Sequence, residues 1–186
     1  MPILPPEPGW FPPDLFENPA HAPTRERAWR VLHTRPRQEK SLARRLFEAQ
    51  QPFYLPLIAR RQQTRGRLTT SYLPLFGGYC FVLADNEERI QALATRRVAH
   101  VIEVTDQAGL WRDLQQVQRL IASGMPITPE GMLEPGTPVE IRRGPLAGMQ
   151  GIIVRTTTQK RFVVKVDFIQ QGASVELEDY MLSPIT

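Results

Sequence analysis

The feature that most constrains this fold is a run of three prolines and three glycines, GMPITPEGMLEPG, at residues 124–136. Proline removes a backbone donor and glycine disfavours regular structure, so neither a helix nor a central strand continues through the run. Before it, strand-like and helical patterns alternate; after it, only short strand-like stretches occur. The sequence therefore predicts two domains, at residues 28–123 and 134–186, joined by a linker over residues 124–133.

The N-terminal segment is also rich in proline. Residues 1–24 hold eight prolines and no lysine or arginine, which predicts a disordered leader over residues 1–27. The segment lacks the basic and apolar regions of a signal peptide, and no apolar run in the chain is long enough to cross a bilayer. We therefore expect a cytoplasmic protein with no membrane contact.

Residues 28–123 carry the mixed pattern. Residues 28–34 alternate as a strand does, and the next stretch places Leu42 and Leu46 on one helical face. A polar hairpin turning near Gly66, an aromatic-rich strand, a helix capped by Asp85, a further strand and a further helix follow. This pattern predicts an α+β sandwich with an antiparallel sheet.

Residues 134–186 contain short β-branched stretches at the spacing of a small β-barrel. Among them is the glycine-rich run RRGPLAGMQGIIVR, residues 142–155. The run lacks the Lys-Ser/Thr pair of a P-loop, and no parallel βαβ unit surrounds it. Taken alone, the run fits a tight turn between strands. Its two leading arginines could contact phosphate.

The positive charge is concentrated in one region. Residues 25–70 hold 12 basic and 3 acidic side chains, a net charge of +9, and nearly all the basic ones are arginine. The guanidinium group matches phosphates and base edges, so nucleic acid is the favoured partner, with a solvated helix face as the alternative. The candidate contacts are Arg37, Lys40, Arg44 and Arg45 on the first helix, and Arg60, Arg61, Arg65 and Arg67 on the hairpin.

No pattern in the chain predicts an enzyme. His21, His33 and His100 are scattered without metal-ligand spacing, and no nucleophile elbow or dinucleotide fingerprint is present. Cys80 stands alone, which excludes an internal disulfide and favours a small buried residue in a strand. We expect no catalytic residue, no metal and no cofactor.

Several stretches resemble, in chain order, the NusG family of transcription elongation factors. They are AWRVLHTRPRQEKSLARRL, PLFGGYCFV, RRVAHVIEV, LEPGTPVEIRRGPLAGMQGIIVR and SVELE, covering about residues 28–186. In that family a Trp-containing strand is followed ten residues on by a helical Glu and later by a Phe-Pro-Gly-Tyr strand. Trp29, Glu39 and LFGGY match this layout, with Gly77 in place of the usual proline.

The resemblance implies a five-stranded SH3-like barrel, opened by a KOW motif, for the C-terminal domain. Gly144, Pro145, Gly148 and Gly151 match the motif, so the glycines become backbone requirements of its turn. The housekeeping factor carries Phe-Gly-Arg in the loop that meets Rho or a small-subunit ribosomal protein. Here the stretch is DFIQQGAS, so Phe168 and Ile169 are the partner-loop candidates and the arginine is absent.

The N-terminal domains of this family bind the clamp helices of the largest RNA polymerase subunit through an apolar patch. Trp29, Leu75, Phe76 and Tyr79 match that patch, with strand core as the alternative for each. Specialised paralogues also bind the non-template DNA strand with the first helix and a nearby loop. The matching positions are Arg44, Arg45, Thr95 and Arg96.

The resemblance thus implies a monomeric elongation or antitermination factor that suppresses pausing or termination. It would recruit a second partner, a small-subunit ribosomal protein or Rho, through its KOW domain. The proline-rich leader, the arginine-rich hairpin and the altered barrel loop favour a specialised, RfaH-like paralogue. The alternative is an RNA-binding or ribosome-associated KOW module, although ribosomal KOW proteins lack a domain containing LFGGY.

Overall fold

The computed structural model describes residues 8–64, 66–131, 136–155, 160–176 and 182–185. The chain divides into two compact units, Met1–Ala108 and Gly109–Thr186. Within the described part, no helix combines the length and the apolar character needed to span a bilayer. The mixed α and β content and the antiparallel pairing confirm the predicted fold class at this level.

The first unit is built on a five-stranded antiparallel sheet. Its strands, in spatial order, are β1 (Trp10–Phe11), β3 (Phe53–Tyr54), β6 (Tyr79–Ala84), β2 (Ala28–Thr34) and β7 (Val98–Glu103). Among the described residues, strands β4 (Leu57–Thr64) and β5 (Arg67–Pro74) pair only with each other, as the hairpin that the sequence predicts. The hairpin turns at Gly66, whose φ of 77° is a left-handed conformation that glycine adopts without strain.

Two complete α-helices lie among the described residues of this unit. Helix α1 (Glu39–Glu48) buries Leu42, Ala43 and Leu46 against sheet residues such as Val82. These apolar positions recur at helical spacing, so the charged residues between them are left on the outer surface. Helix α2 (Asn86–Ala94) begins at the predicted cap, Asp85, whose side chain accepts a hydrogen bond from the Glu88 amide.

The leader differs from the prediction of disorder. Trp10 and Phe11 pair with Tyr54 and Phe53 at the edge of the sheet, and Leu15 is fully buried. The ring of Phe16 meets that of Tyr54 edge to face, with centroids 4.7 Å apart. Proline is excluded from helix interiors and central strands but not from a short edge strand, so its density did not preclude order here.

The second unit holds most of helix α3 (Gln107–Ala122) and a six-stranded antiparallel sheet. The strands, in spatial order, are β13 (Leu182–Pro184), β9 (Thr137–Ile141), β10 (Gln150–Arg155), β11 (Lys160–Val166), β12 (Gln171–Glu176) and β8 (Thr128–Gly131). Buried side chains of the sheet include Ile141, Phe162 and Val175.

This sheet differs from the predicted five-stranded barrel. Strand β8 comes from the predicted linker and adds a sixth strand by pairing with β12. Within the described ranges, no strand pairing joins β8 to β13, the two ends of the strand order, so a closed barrel is not seen. The linker prediction missed β8 because a proline at the sheet edge needs no partner for its missing amide hydrogen.

Candidate nucleic-acid interface

Helix α1 and the residues before it carry exposed positive charge. Arg37 is exposed and adopts a left-handed backbone conformation, with a φ of 61°. Lys40 is half-buried, and Arg44 and Arg45 are exposed. Arg45 is partly neutralised, because its Nη1 lies 2.9 Å from Oε2 of Glu48 on the same helix.

The loop between α2 and β7 lies beside the start of α1. The Arg35 amide donates a hydrogen bond of 2.8 Å to the Arg97 carbonyl, which ties the two loops together. The Arg97 side chain strengthens the link, because its Nε donates to Oγ of Ser41 at 2.6 Å. Arg96, between these anchors, is exposed and has a φ of 59°.

These contacts place the two loops side by side at the start of α1, and we call the four cationic residues that they carry there the cationic cluster: Arg35, Arg37, Lys40 and Arg96. Within the part of the chain that the structure describes, none of the four forms an ion pair with a carboxylate. Glu39, the nearest acidic residue along the helix, accepts a hydrogen bond from the Gly78 amide instead. The cluster therefore presents positive charge that no described carboxylate neutralises.

Two left-handed arginines in adjacent loops are an unusual feature of this cluster. A residue other than glycine costs roughly 1–2 kcal/mol in this conformation. Such conformations persist when the surrounding structure holds them, and they concentrate at functional sites. Here the backbone bond between Arg35 and Arg97 and the side-chain bond to Ser41 supply that support.

The hydroxyl of Thr95 is already engaged in hydrogen bonds within the chain. Its hydroxyl donates to the Ala92 carbonyl at 2.7 Å and accepts from the Arg97 amide at 3.3 Å. Both interactions close the end of α2 and shape the loop that carries Arg96. Thr95 thus positions the loop with its hydroxyl.

Sequence reasoning missed Arg35 and Arg97. Arg35 immediately follows β2 and Arg97 immediately precedes β7, and nothing in their spacing predicts contact. The signal that could have found them is the pairing of β2 with β7, because residues beyond paired antiparallel strands meet at the same edge.

The hairpin arginines are only partly within the described residues. Arg65 lies outside them, and for Arg67 the structure describes the backbone at the start of β5 but not the side chain. Arg60 and Arg61 are both exposed on β4. The predicted role of Arg65 and Arg67 stays a prediction.

The predicted polymerase patch is mostly buried. Trp29, Leu75 and Phe76 are at most 3% exposed, and Tyr79 is half-buried. The Phe76 ring meets Phe81 of β6 at right angles, with centroids 6.3 Å apart. The four residues therefore do not form an exposed apolar patch in this structure, because three of them serve as core side chains.

The KOW-like run forms a tight turn between β9 and β10. Gly144 and Gly148 have φ values of 90° and 81°, and the Gly148 amide donates to the Ile141 carbonyl at 2.7 Å. Pro145 lies exposed in the same turn. Gly151 is required for a different reason, because a Cβ there would lie 2.5 Å from the Val163 carbonyl oxygen.

The predicted partner loop lies between β11 and β12. Phe168 and Ile169 are part of a short 3-10 helix, Asp167–Ile169, and both side chains are half-buried. Half-burial leaves part of each apolar side chain accessible, which is compatible with the predicted contact but does not test it.

The described residues offer no grouping of three or more His, Cys, Asp or Glu side chains that could hold a metal ion. Burial raises the pKa of the Cys80 thiol, and the charge of Glu39 raises it further. A thiol in this environment stays protonated and is a poor nucleophile.

Comparison with known proteins identifies the class of this fold. Residues 27–130 match the family model described as "Transcription termination factor nusG", which is more than half of the chain. The chain therefore belongs to the NusG family, a family of transcription elongation and termination factors rather than of enzymes. This match confirms the resemblance read from the sequence at the level of the family.

Two further comparisons do not extend the assignment beyond the family. A search of the curated proteins found no match. Among solved structures, a chain of the crystal structure of the MjSpt4:Spt5 complex in conformation B is 17% identical, with coverage of 85% of this chain and 97% of that chain. The TM-score of that comparison is 0.24, too low to relate the two architectures.

Proposed function

We propose that this protein is a transcription elongation and antitermination factor of the specialised, RfaH-like kind. Its first unit binds the clamp helices of the largest RNA polymerase subunit, and its cationic cluster holds the non-template DNA strand. Its second unit acts as a KOW domain that recruits a second partner. The observation that carries the proposal is the unneutralised cationic cluster on a domain of the NusG family.

Electrostatics supports the DNA contact. Nucleic acid carries one negative charge per phosphate, and each phosphate neutralised on a single strand releases about 0.7 counterions. Arginine also donates hydrogen bonds to phosphate in a planar fork. The three arginines of the cluster, Arg35, Arg37 and Arg96, are exposed, so they can reach a strand that crosses the two loops.

The polymerase contact is proposed to centre on Tyr79. It is the one member of the predicted patch that is half-exposed, and its ring lies against His33 with centroids 5.3 Å apart. The buried members, Trp29, Leu75 and Phe76, then support the surface from beneath. A factor that binds the active conformation of polymerase more tightly than the paused conformation shifts polymerase towards the active one. The size of the shift is set by the difference between the two affinities.

Capture of core RNA polymerase free of nucleic acid tests this contact. Tyr79→Ala should weaken binding about tenfold or more, because truncation of an aromatic residue at an interface centre costs about 2 kcal/mol. Tyr72→Ala is the matched control, since Tyr72 is a 43% exposed tyrosine on the hairpin. Equal loss in both variants, or no binding by the wild-type chain, would overturn the proposed polymerase contact.

Binding of single-stranded DNA at increasing salt tests the cationic cluster. Arg96→Gln should lower the slope of log affinity against log salt by about 0.7, as expected for one lost phosphate contact. Arg89→Gln is the control, because the guanidinium of Arg89 is engaged with Asn86 on α2. A slope unchanged in Arg96→Gln would contradict the contact.

The alternative is an RNA-binding or ribosome-associated KOW module. The family match over residues 27–130 favours the elongation factor, because it covers the N-terminal domain that ribosomal KOW proteins lack. We propose a monomer acting in the cytoplasm, with a small-subunit ribosomal protein or Rho as the partner of Phe168 and Ile169. Phe168→Ala should weaken capture of that partner without changing polymerase binding.

A further inference from the structure

The leader forms hydrogen bonds within itself. The Leu15 amide donates to the Pro12 carbonyl at 3.0 Å, and the Asn18 side chain donates to the Asp14 carboxylate at 2.9 Å. Its strand in the sheet, β1, has only two residues and lies at the edge. Segments held by few backbone bonds open at a small fraction of the free energy of global unfolding. The leader can therefore leave the sheet as a unit.

The leader packs on the face of the sheet opposite to helix α1. Tyr54 of β3 lies directly opposite Phe81 of β6, so their side chains project to the same face. The adjacent pair, Phe53 and Val82, projects to the other face and packs in the core with α1. Tyr79 precedes Phe81 by two residues on β6 and shares its face. We call Tyr54, Phe81 and Tyr79 the aromatic face, and it includes the residue on which the proposed polymerase contact centres.

Phe16 of the leader covers one end of this face. Its ring meets that of Tyr54 edge to face, with centroids 4.7 Å apart. The Tyr54 ring lies 6.4 Å from that of Phe81, which in turn lies 6.3 Å from that of Phe76. Tyr54, Phe76 and Phe81 are at most 1% exposed. The leader thus closes the Tyr54 end of a continuous row of aromatic side chains.

The hydroxyl of Tyr54 is poorly served by this packing. It is buried and forms no hydrogen bond with any residue that the structure describes. Burial raises the pKa of Tyr54, so the group remains a protonated donor without an acceptor. The Phe16 ring beside it offers no carbonyl or carboxylate oxygen. Because an unpaired buried polar group is unfavourable, a ligand that replaced Phe16 and supplied an acceptor would gain a bond that the leader does not make.

We infer that the leader is a displaceable cover, and that RNA polymerase displaces it to bind the aromatic face. This inference rests on the proposed polymerase contact. The occupant that fits is an amphipathic helix of polymerase whose apolar side replaces Leu15 and Phe16 and which carries an acceptor for the Tyr54 hydroxyl. The docked leader then lowers the affinity for polymerase, because the apparent affinity scales with the fraction of molecules in which the face is uncovered.

Capture of core RNA polymerase free of nucleic acid, by the full-length chain, tests the cover. Phe16→Ala should tighten capture about tenfold, because loss of one aromatic contact raises the uncovered fraction by about that factor. Glu17→Ala, at the next position and exposed, is the matched control and should stay within about twofold of wild type. A purely structural role for Phe16 would weaken capture or leave it unchanged, so a gain in affinity separates the two roles.

Hydrogen exchange in the free chain measures leader docking without polymerase. The Leu55 amide donates to the Gly9 carbonyl at 2.6 Å, so its protection depends on the docked leader. In Phe16→Ala the protection factor of this amide should fall by about tenfold, the same factor by which capture tightens. In Glu17→Ala it should match that of wild type.

The outcomes separate a failed cover from a failed polymerase contact. Lower protection at Leu55 in Phe16→Ala without tighter capture would show that leader release uncovers no polymerase site. Unchanged protection and unchanged capture in Phe16→Ala would show that Phe16 does not hold a cover in place. Either result overturns the inference and leaves the proposed contact at Tyr79 standing. Absence of binding by both wild type and Phe16→Ala would overturn the polymerase contact and the inference together.

Discussion

The carboxylate of Glu39 accepts a hydrogen bond of 2.8 Å from the amide of Gly78, thirty-nine residues further along the chain. The carbonyl of the same glycine accepts from the Thr34 amide at the end of β2, at 2.8 Å. Gly78 has a φ of 83°, so its backbone is turned to meet both partners. One residue thus joins the first helix, strand β2 and the LFGGY turn.

This link predicts a specific loss of stability. Glu39→Ala should lower the free energy of unfolding by about 2 kcal/mol, because it leaves a part-buried amide without its charged acceptor. Glu39→Gln should lose less, since its carboxamide oxygen can still accept. Urea denaturation measures both, with Glu48→Ala on the exposed face of α1 as control, expected within about 0.5 kcal/mol of wild type. Similar losses in Glu39→Ala and Glu48→Ala would contradict the link.

The turn between β9 and β10 predicts unequal effects of glycine substitutions. Gly151→Ala should cost about 3 kcal/mol, because the new Cβ would meet the Val163 carbonyl at 2.5 Å and the Phe162 ring at 2.8 Å. A Cβ at Gly144 would meet no atom within 4 Å. Gly144→Ala should therefore lower the free energy of unfolding only by the strain of its left-handed backbone, about 1 kcal/mol. Thermal unfolding of the two variants compares them, and the reverse order would refute the close approach.

The leader is predicted to contribute to stability. Leu15→Ala should lower the free energy of unfolding by about 3 kcal/mol, as for other fully buried leucines. Glu17→Ala, two residues away and exposed, should change it by less than about 0.5 kcal/mol. Chemical denaturation followed by tryptophan fluorescence gives both values. If Leu15→Ala unfolds like wild type, the leader does not pack as described.

The leader should also be less stable in acid. The side chain of Asn18 donates to Asp14 at 2.9 Å and His21 lies 3.2 Å from its other oxygen, which together hold the pKa of Asp14 below its usual 3.8. Because the pKa of Asp14 is lower in the folded chain than in the unfolded chain, the ionised carboxylate stabilises the fold at pH values above the unfolded pKa. This stabilisation is lost as the pH falls through the folded pKa. Protection factors of the amides of residues 14–22, which are exchange rates corrected for the intrinsic effect of pH, should therefore fall below about pH 4, whereas those of Asp14→Asn should be the same above and below it.

Cys80 is predicted to be inert in the folded protein. It is fully buried, and burial with the nearby charge of Glu39 raises the pKa of its thiol. At pH 8 a disulfide reagent should label the native chain at least about a hundredfold more slowly than the same chain in denaturant, because only the accessible thiolate reacts. Comparable rates in the two conditions would show that the strand β6 opens readily.

Much of the N-terminal domain could be predicted from short patterns. The strand at residues 28–34, the hairpin turning at Gly66 and the cap at Asp85 all have the predicted positions, because alternation, turn chemistry and capping act within a few residues. Such local patterns do not identify which apolar residues are buried. On α2 the side chain of Ile90 is 52% exposed and that of Ala92 is buried.

The sequence by itself determined the family, the cationic region and the places where the chain must turn, because these depend on residue identity and local spacing. Only the tertiary structure decided that the loop of Arg35 and Arg37 lies beside the loop of Arg96, since a backbone bond from Arg35 to Arg97 joins the two loops. It also decided that Trp29 and Phe76 are core and that Leu15 anchors the leader. Burial and long-range pairing depend on which surfaces meet, and residue patterns within one segment do not specify that.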